Sequence, residues 1–238
     1  MNQYVDFSYY YDFLTQDQPY SKWKELIKYY TNHSNSMLDI GCGTGNLTSI
    51  IEHFDQVYGM DLSIDMLTVA AQKSDKVRWL EGDMTDFSLN QEFDLITILC
   101  DALNYLPDLN DVAVSFKNVY EHLSNDGIFI FDVHTEYKMN TWFNNRSYIE
   151  DYDELFLAWE AIKGEEELSV WHELSFFIKD DKDSYQRVDE SHYQRTFSKE
   201  TYQYLLEQQG FSILKVFTDF EPCSLNLKGD RLFFVAKK

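Results

Sequence analysis

Residues 37–45 read Met37-Leu-Asp-Ile-Gly-Cys-Gly-Thr-Gly45, and no other stretch of this 238-residue chain constrains its fold so tightly. A short apolar run ends in Gly41, Gly43 and Gly45, three glycines at alternate positions. A helix-compatible segment, Asn46 to Phe54, follows. Without Cβ atoms such a turn can be left-handed and a ligand can come against the backbone. A helix start behind it would add unpaired N–H groups and the positive end of a dipole. Strand, glycine turn and helix start together predict a nucleotide-type site. An ordinary tight β–α turn is the plainer reading, but it rarely needs three alternating glycines.

The surrounding pattern supports a parallel sheet. Met37–Ile40, Val57–Met60, Val77–Leu80, Phe93–Leu99 and Ile128–Val133 are apolar runs of strand length. Between them, Ser63 is placed to cap a helix with Ile64, Leu67, Ala70 and Ala71 on one face. Leu109, Val112, Ala113, Phe116, Val119, Tyr120 and Leu123 form a second helical stripe. Strand–helix alternation of this kind predicts a doubly wound α/β layer with helices on both faces. After His134 the pattern changes. Leu155–Ile162, Leu168–Ile178 and Tyr185–Phe197 are long and β-rich, separated by the charged turns 163–167 and 180–184, and predict an antiparallel meander. A helix from Ser198 to Gly210 and strands at Phe211–Phe220 and Arg231–Ala236 then resume the layer. A separate helical piece, rich in rings, is expected around Ser21–Tyr30.

Charge narrows the partners. Lys and Arg total 20 against 41 Asp and Glu, a net −21, which repels nucleic-acid phosphates and anionic membranes over most of the surface. Cys42, Cys100 and Cys223 form no C-x-x-C pair and read as free thiols of a reducing compartment. Residues 1–7 carry neither a basic nor an apolar signal region, and no apolar run reaches membrane-spanning length. A soluble, cytoplasmic protein is expected. The 18 Phe, 17 Tyr and 5 Trp suit either a ring-rich core or a pocket for an apolar or cationic ligand, and composition favours the core.

Three carboxylates stand where a nucleoside would be held. Asp61 ends the second strand, where doubly wound folds hydrogen-bond ribose hydroxyls. Asp83 and Met84 follow the third strand, suited to an exocyclic amine and a purine face. A dinucleotide loop prefers G-x-G-x-x-G spacing. Here the loop is preceded by Asp39, which would oppose a pyrophosphate and suits an ammonium group, as in S-adenosylmethionine.

These residues resemble the class I S-adenosylmethionine-dependent methyltransferases of small-molecule type. Leu38-Asp-Ile-Gly-Cys-Gly-Thr-Gly45 is close to their glycine loop, Asp61 to their ribose acid, Asp83-Met84 to their adenine contact, and Leu99-Cys-Asp-Ala-Leu-Asn-Tyr-Leu106 to their strand-four segment. The segment from Arg195 to Phe211 is similar to their return helix and sixth strand, and Tyr10-Tyr-Asp-Phe-Leu14 with Tyr20 and Trp23 looks like their cap. The resemblance implies a Rossmann-like methyltransferase fold: a seven-stranded, mostly parallel sheet with its last strand antiparallel, an antiparallel β insertion and an N-terminal helical cap. It divides the chain into a cap at 1–34, a cofactor domain at 35–135 and 195–238, and an insertion at 136–194 that covers the acceptor or joins a homodimer. It implies Tyr11, Trp23, Asp39, Gly41, Cys42, Gly43, Gly45, Asp61, Leu62, Met66, Asp83, Met84 and Cys100 around S-adenosylmethionine, with no metal.

The acceptor is less legible. Cys100-Asp-Ala-Leu-Asn104 replaces the Asn-Pro-Pro-Tyr of amino-directed nucleic-acid enzymes, and no Pro-Cys marks a cytosine nucleophile. Methyl transfer to O, N or C of a small-molecule acceptor is expected, against a fold that binds the cofactor without turnover or an RNA methyltransferase. Transfer from a sulfonium needs alignment first, and a base only where the acceptor carries a proton. His134, just past strand five, is the first candidate base and His192 the second, with Asp132 and Tyr137 behind; a structural histidine is the simpler reading of each. Cys42 among glycines needs only to be small, and the acidic run 150–154 lacks the spacing of a calcium loop.

Overall fold

A computed structural model describes residues 7–31, 34–180, 184–223, 226 and 228–238; the side chains of residues 7–10, Tyr10 among them, lie outside the described residues. Two helices, α1 (Phe7–Thr15) and α2 (Tyr20–Tyr30), precede β1 (Ser36–Ile40). Then come β2 (Gln56–Asp61), α3 (Ile64–Lys73), β3 (Val77–Glu81), β4 (Phe93–Ile98), α4 (Leu109–His122) and β5 (Leu123–His134). A short α5 (Glu136–Thr141) leads into β6 (Arg146–Asp151), β7 (Leu155–Lys163), β8 (Ser169–Lys179) and β9 (Tyr185–Arg195). The chain closes with α6 (Lys199–Gln208), β10 (Ser212–Thr218) and β11 (Arg231–Lys237).

Seven strands form one sheet in the order β10-β11-β5-β4-β1-β2-β3, parallel except for β11, which runs antiparallel to both neighbours. The expected seven-stranded layer with an antiparallel last strand is therefore present. Each helix after a strand starts where a side chain takes an orphan amide. Ser63 Oγ accepts from Met66 N, Asp108 from Asp111 N and Ser198 from Thr201 N. All five residues of β1 are buried, as both faces are covered. Leu38 and Ile40 join Phe116 and Val119 of α4 and Tyr202 and Leu206 of α6 on one face. Met37 joins Trp23 and Ile27 of α2 with Leu95 and Phe233 on the other. Much of the ring content is this core, where Phe131 stacks on Phe234 at 4.7 Å.

The segment after the glycines departs from the expected helix. Only a 3-10 turn, Thr48–Ile50, forms between Asn46 and Phe54. Thr48 is fully buried and donates through Oγ1 to Asp39 Oδ2 at 2.5 Å, and the chain leaves as extended backbone at Ile51. Two elements unseen in the sequence, α5 and β6, precede the meander. The acidic run ends β6 and turns into β7 through paired bonds between Tyr152 and Leu155. The second sheet is antiparallel in the order β6-β7-β8-β9. It rests partly on α1, where Phe13 and Leu14 pack beside Leu155, Leu157 and Phe176. Its two ends lie together, since Thr196 Oγ1 donates to His134 O at 2.8 Å.

Asp39 is the polar bolt of the central strand. It is 3% exposed and accepts from Thr48 Oγ1 and, at 2.7 Å, from Thr97 Oγ1 of β4. Burial raises its carboxyl to about 6, against these two bonds. A proton held more tightly folded than unfolded stabilises fully below about pH 4 and is lost as pH rises through 6. The ionised group at pH 7 then costs about 3 kcal/mol relative to the protonated one. Asp39→Asn should therefore melt above the parent at pH 7.5, with the advantage gone at pH 4. Calorimetric scans at both pH values check this, and an equal difference at both would assign the effect to packing.

Candidate functional site

A cavity of about 660 Å³ opens where the C-terminal ends of β1, β2, β3 and β4 meet. This is the topological switch point, because the chain leaves β1 toward β2 and returns on its other side as β4. Its wall is built from the residues that follow each strand: Gly41–Thr44, Leu62–Ser63, Gly82–Thr85 and Leu99–Cys100. Tyr11 of α1 and Tyr20 of α2 close it from the cap, and His192 of β9 from the second sheet.

The three glycines serve three purposes. Gly41 is left-handed (φ 70°), and a Cβ there would lie 2.5 Å from the Ala102 Cβ. Gly43 is left-handed as well (φ 54°), but a Cβ would meet only Tyr11 Cε1, at 3.9 Å. That position faces the cavity. Gly45 does not: its Cβ would strike the Trp79 ring at 2.6 Å, so its small size serves packing, and it is absent from the cavity wall. The loop amides are committed too. Gly41 N and Cys42 N donate to Met60 O at 2.7 and 3.1 Å, and Gly43 N donates to Asp61 Oδ2 at 2.7 Å. The turn's own amides at 41–43 are thus spent on β2.

Asp61 holds the loop with one oxygen and accepts from Ser63 N at 2.9 Å with the other. Asp83 Oδ1 accepts from Thr85 N and Oγ1, and Met84 reaches toward Gly41. Asp39, Leu62 and Met66 also line the wall. Burial pushes the Cys42 and Cys100 thiols well up, so neither is a reactive thiolate. Burial does the same to the Tyr11 phenol above Gly43. The cap is pinned by a residue the sequence reading passed over. Asp12 accepts from Thr44 Oγ1 and Asn46 Nδ2 and pairs with Lys73 at 2.5 Å.

Trp23 and His134, like Gly45, lie outside the cavity wall although the sequence placed them in the site. Trp23 is fully buried, donates to Asp132 Oδ2 at 2.6 Å and packs edge-on against Phe220. It belongs to a buried ionic cluster, not to the cavity. His134 is 2% exposed, hydrogen-bonds Gln194 Oε1 through Nε2 at 2.9 Å, and lies 3.4 Å from Asp101 through Nδ1. Burial lowers it to about 3, and it is absent from the cavity wall, as are Asp132 and Tyr137. Asp132 is inside the same cluster: Arg231 donates to Asp132 at 2.9 Å and to both oxygens of Asp101. Against burial, Arg231 holds the Asp101 carboxyl well below its ordinary range. Cys100 and Asp101 are both left-handed (φ 56° and 67°), a strain this cluster over-determines.

The outer end of the cavity was legible only in part. Tyr105, Leu106 and Asp111 line it together with His192, the second candidate base. Tyr105 follows β4 in a short 3-10 turn, and burial of its phenol end pushes it up to about 12. Behind it, Gln194 accepts from His134 and His172, and Trp159 donates to His172 Nδ1 at 3.0 Å. Among the described residues no group of three His, Cys, Asp or Glu comes together to hold a metal.

Replacing Gly43 by valine should fill the cavity face while leaving the sheet folded, at a left-handed penalty of about 1–2 kcal/mol. Gly45→Ala should instead lower the melting temperature through the Trp79 clash. Thermal melts beside S-adenosylhomocysteine calorimetry check the contrast, and normal binding by Gly43→Val would leave the loop as a turn only.

The family profile described as Methyltransferase domain matches residues 37–127. Over 240 residues the chain is 36% identical to "Putative methyltransferase YqeM" of Bacillus subtilis, covering 99% of this chain and 97% of that protein. Over 109 residues, 45% of this chain and 46% of the relative, it is 29% identical to the dTDP-3-amino-3,4,6-trideoxy-alpha-D-glucopyranose N,N-dimethyltransferase of Streptomyces venezuelae. Its fold superposes with a TM-score of 0.88 on the crystal structure of a S-adenosylmethionine-dependent methyltransferase from Clostridium acetobutylicum, 32% identical and covering 99% of both chains. A glycine loop with committed amides and a carboxylate-lined wall suits a nucleoside ligand without phosphate, and with these likenesses the chain belongs to the S-adenosylmethionine-dependent methyltransferases.

Proposed function

We propose that the cavity binds S-adenosylmethionine against the glycine loop and passes its methyl group to a small molecule held at the outer end. The single observation that carries this reading is Asp61: its carboxylate already fixes Gly43 N and stands at the end of β2, where ribose hydroxyls would add to its bonds. The cofactor supplies an activated methyl group, so the protein's task is alignment and exclusion of water. Asp83 and Met84 would take the base, Gly41 and Gly43 would admit the ligand to the backbone, and Leu62, Met66, Cys42 and Cys100 would fill around it. Asp39, with both oxygens already accepting hydroxyls, would act on the cofactor's ammonium through charge.

Tyr11 and Tyr20 sit over the loop on a cap pinned by Asp12, which supports a cap over the cofactor cut off from water. His192 supports a role for the inserted sheet, residues 136–194, in covering the acceptor. The net charge of −21 speaks against RNA as that acceptor. No described helix is long and apolar enough to cross a membrane.

Asp61→Ala should weaken S-adenosylhomocysteine binding by about 1.5–3 kcal/mol, the loss of charge-assisted bonds. Calorimetry on the folded variant checks it, and unchanged affinity would take Asp61 out of the site. Methyl transfer from labelled S-adenosylmethionine should appear with members of a metabolite panel and not with bulk RNA. Robust labelling of RNA would overturn the small-molecule reading.

A further inference from the structure

The outer end of the cavity has a chemistry of its own. Asp111 lies in the first turn of α4, where its N–H donates to Asp108 Oδ1 at 3.0 Å. Among the described residues its carboxylate accepts no hydrogen bond, and it faces the cavity with Tyr105 and His192. No lysine or arginine appears among the described lining residues, and residues 1–10, ahead of and within the cap helix, contain none either. The basic groups nearby are committed. Lys73 bridges Asp12 and Asn46, each at 2.5 Å. Arg195 donates to Pro107 O at 3.1 Å, pairs with Glu166 at 3.3 Å and lies over the Phe197 ring.

An anionic acceptor needs guanidinium or ammonium partners to repay its desolvation. With Asp39, Asp61 and Asp83 turned to the cofactor in that reading, it would meet the Asp111 carboxylate instead. A dTDP-linked sugar, named in the acceptor of the Streptomyces venezuelae relative, carries a diphosphate and would be repelled. An ammonium group gains in the same place. Asp111 offers a charge-assisted bond, and the Tyr105 ring, 47% exposed, offers a π-face. His192 stands edge-on to Tyr105 at 6.0 Å between centroids.

Resting on the cofactor reading above, we propose that the acceptor is an amine free of phosphate, bound as its ammonium by Asp111 and deprotonated by His192. The ammonium gives one proton to the imidazole, and the freed nitrogen pair attacks the methyl carbon. The N–C bond forms as the C–S bond breaks, the sulfur keeps the electron pair as a thioether, and the product is the methylated ammonium. Burial lowers His192, which keeps its ring neutral and able to accept that proton near pH 7.

Titration calorimetry on the S-adenosylhomocysteine-loaded protein tests this, with ethanolamine, 1,4-diaminobutane and glucosamine as probes against inorganic pyrophosphate and dTDP. At least one amine should bind saturably and the two phosphate probes should not. Asp111→Asn should weaken that amine about tenfold or more, while Glu207→Gln, an exposed charge change on α6, should leave it unchanged. His192→Gln should keep amine binding and slow methyl transfer to that amine by about a hundredfold at pH 7. Saturable dTDP binding, no amine binding, equal effects of Asp111→Asn and Glu207→Gln, or unchanged transfer by His192→Gln would each overturn the proposal. S-adenosylhomocysteine affinity, measured on every variant, separates these failures from failure of the cofactor reading.

Discussion

Arg231, 11% exposed, stands at the start of the last strand and holds three parts of the molecule in one place. Its guanidinium pairs with Asp101 in the loop after β4 and with Asp132 in β5, and lies over the Trp23 ring of α2 at 4.9 Å. Trp23 completes the arrangement by donating to the other oxygen of Asp132. A buried ion pair contributes little net stability, but removing one partner leaves an uncompensated charge and costs about 3–5 kcal/mol. The cluster therefore acts as a specification. It fixes the left-handed backbone at Cys100 and Asp101, and with it the cavity wall at Cys100 and the turn that presents Tyr105.

A second constraint works through the backbone alone. Three consecutive amides, from Gly41 to Gly43, donate to the end of β2, so the loop is closed by its neighbour strand before any ligand arrives. A dinucleotide loop leaves such groups for a pyrophosphate. Here the cavity offers carboxylates, rings and Cα surfaces. Among the described lining residues no lysine or arginine balances the carboxylates, so one feature of local wiring agrees with the chain's overall acidity.

The inserted sheet is tied to this site from behind. Its strand β9 sends His192 to the cavity and Gln194 to a buried line of imidazoles. His134 ends β5 and belongs to that line, where it braces and does not line the cavity. A histidine placed by sequence beside strand five can point to either side of its strand. The packing of Phe143 and the insertion against His134 decides which.

What the chain's order of residues settled by itself is the layer and the floor of the site. Apolar runs of strand length, capped helices and a glycine loop are local signals, and strand–helix alternation admits few topologies. Asp61, Asp83 and Met84 were legible as cavity lining for the same reason, since Asp61 ends β2 and the other two come just after β3. Tertiary structure alone decided the rest. Asp101 and Arg231 are 130 residues apart, and no periodicity links them to Trp23, so a ring that reads as part of the cap is instead a brace. Gly45 reads like Gly43 until Trp79 arrives from β3 to occupy the space beside it. The segment after the loop has the composition of a helix, but one buried bond from Thr48 to Asp39 turns it into the sheet. The outer cavity joins a turn and the helix start that follows it to a strand far along the chain, and only folding brings His192 to the wall that Tyr105 and Asp111 line.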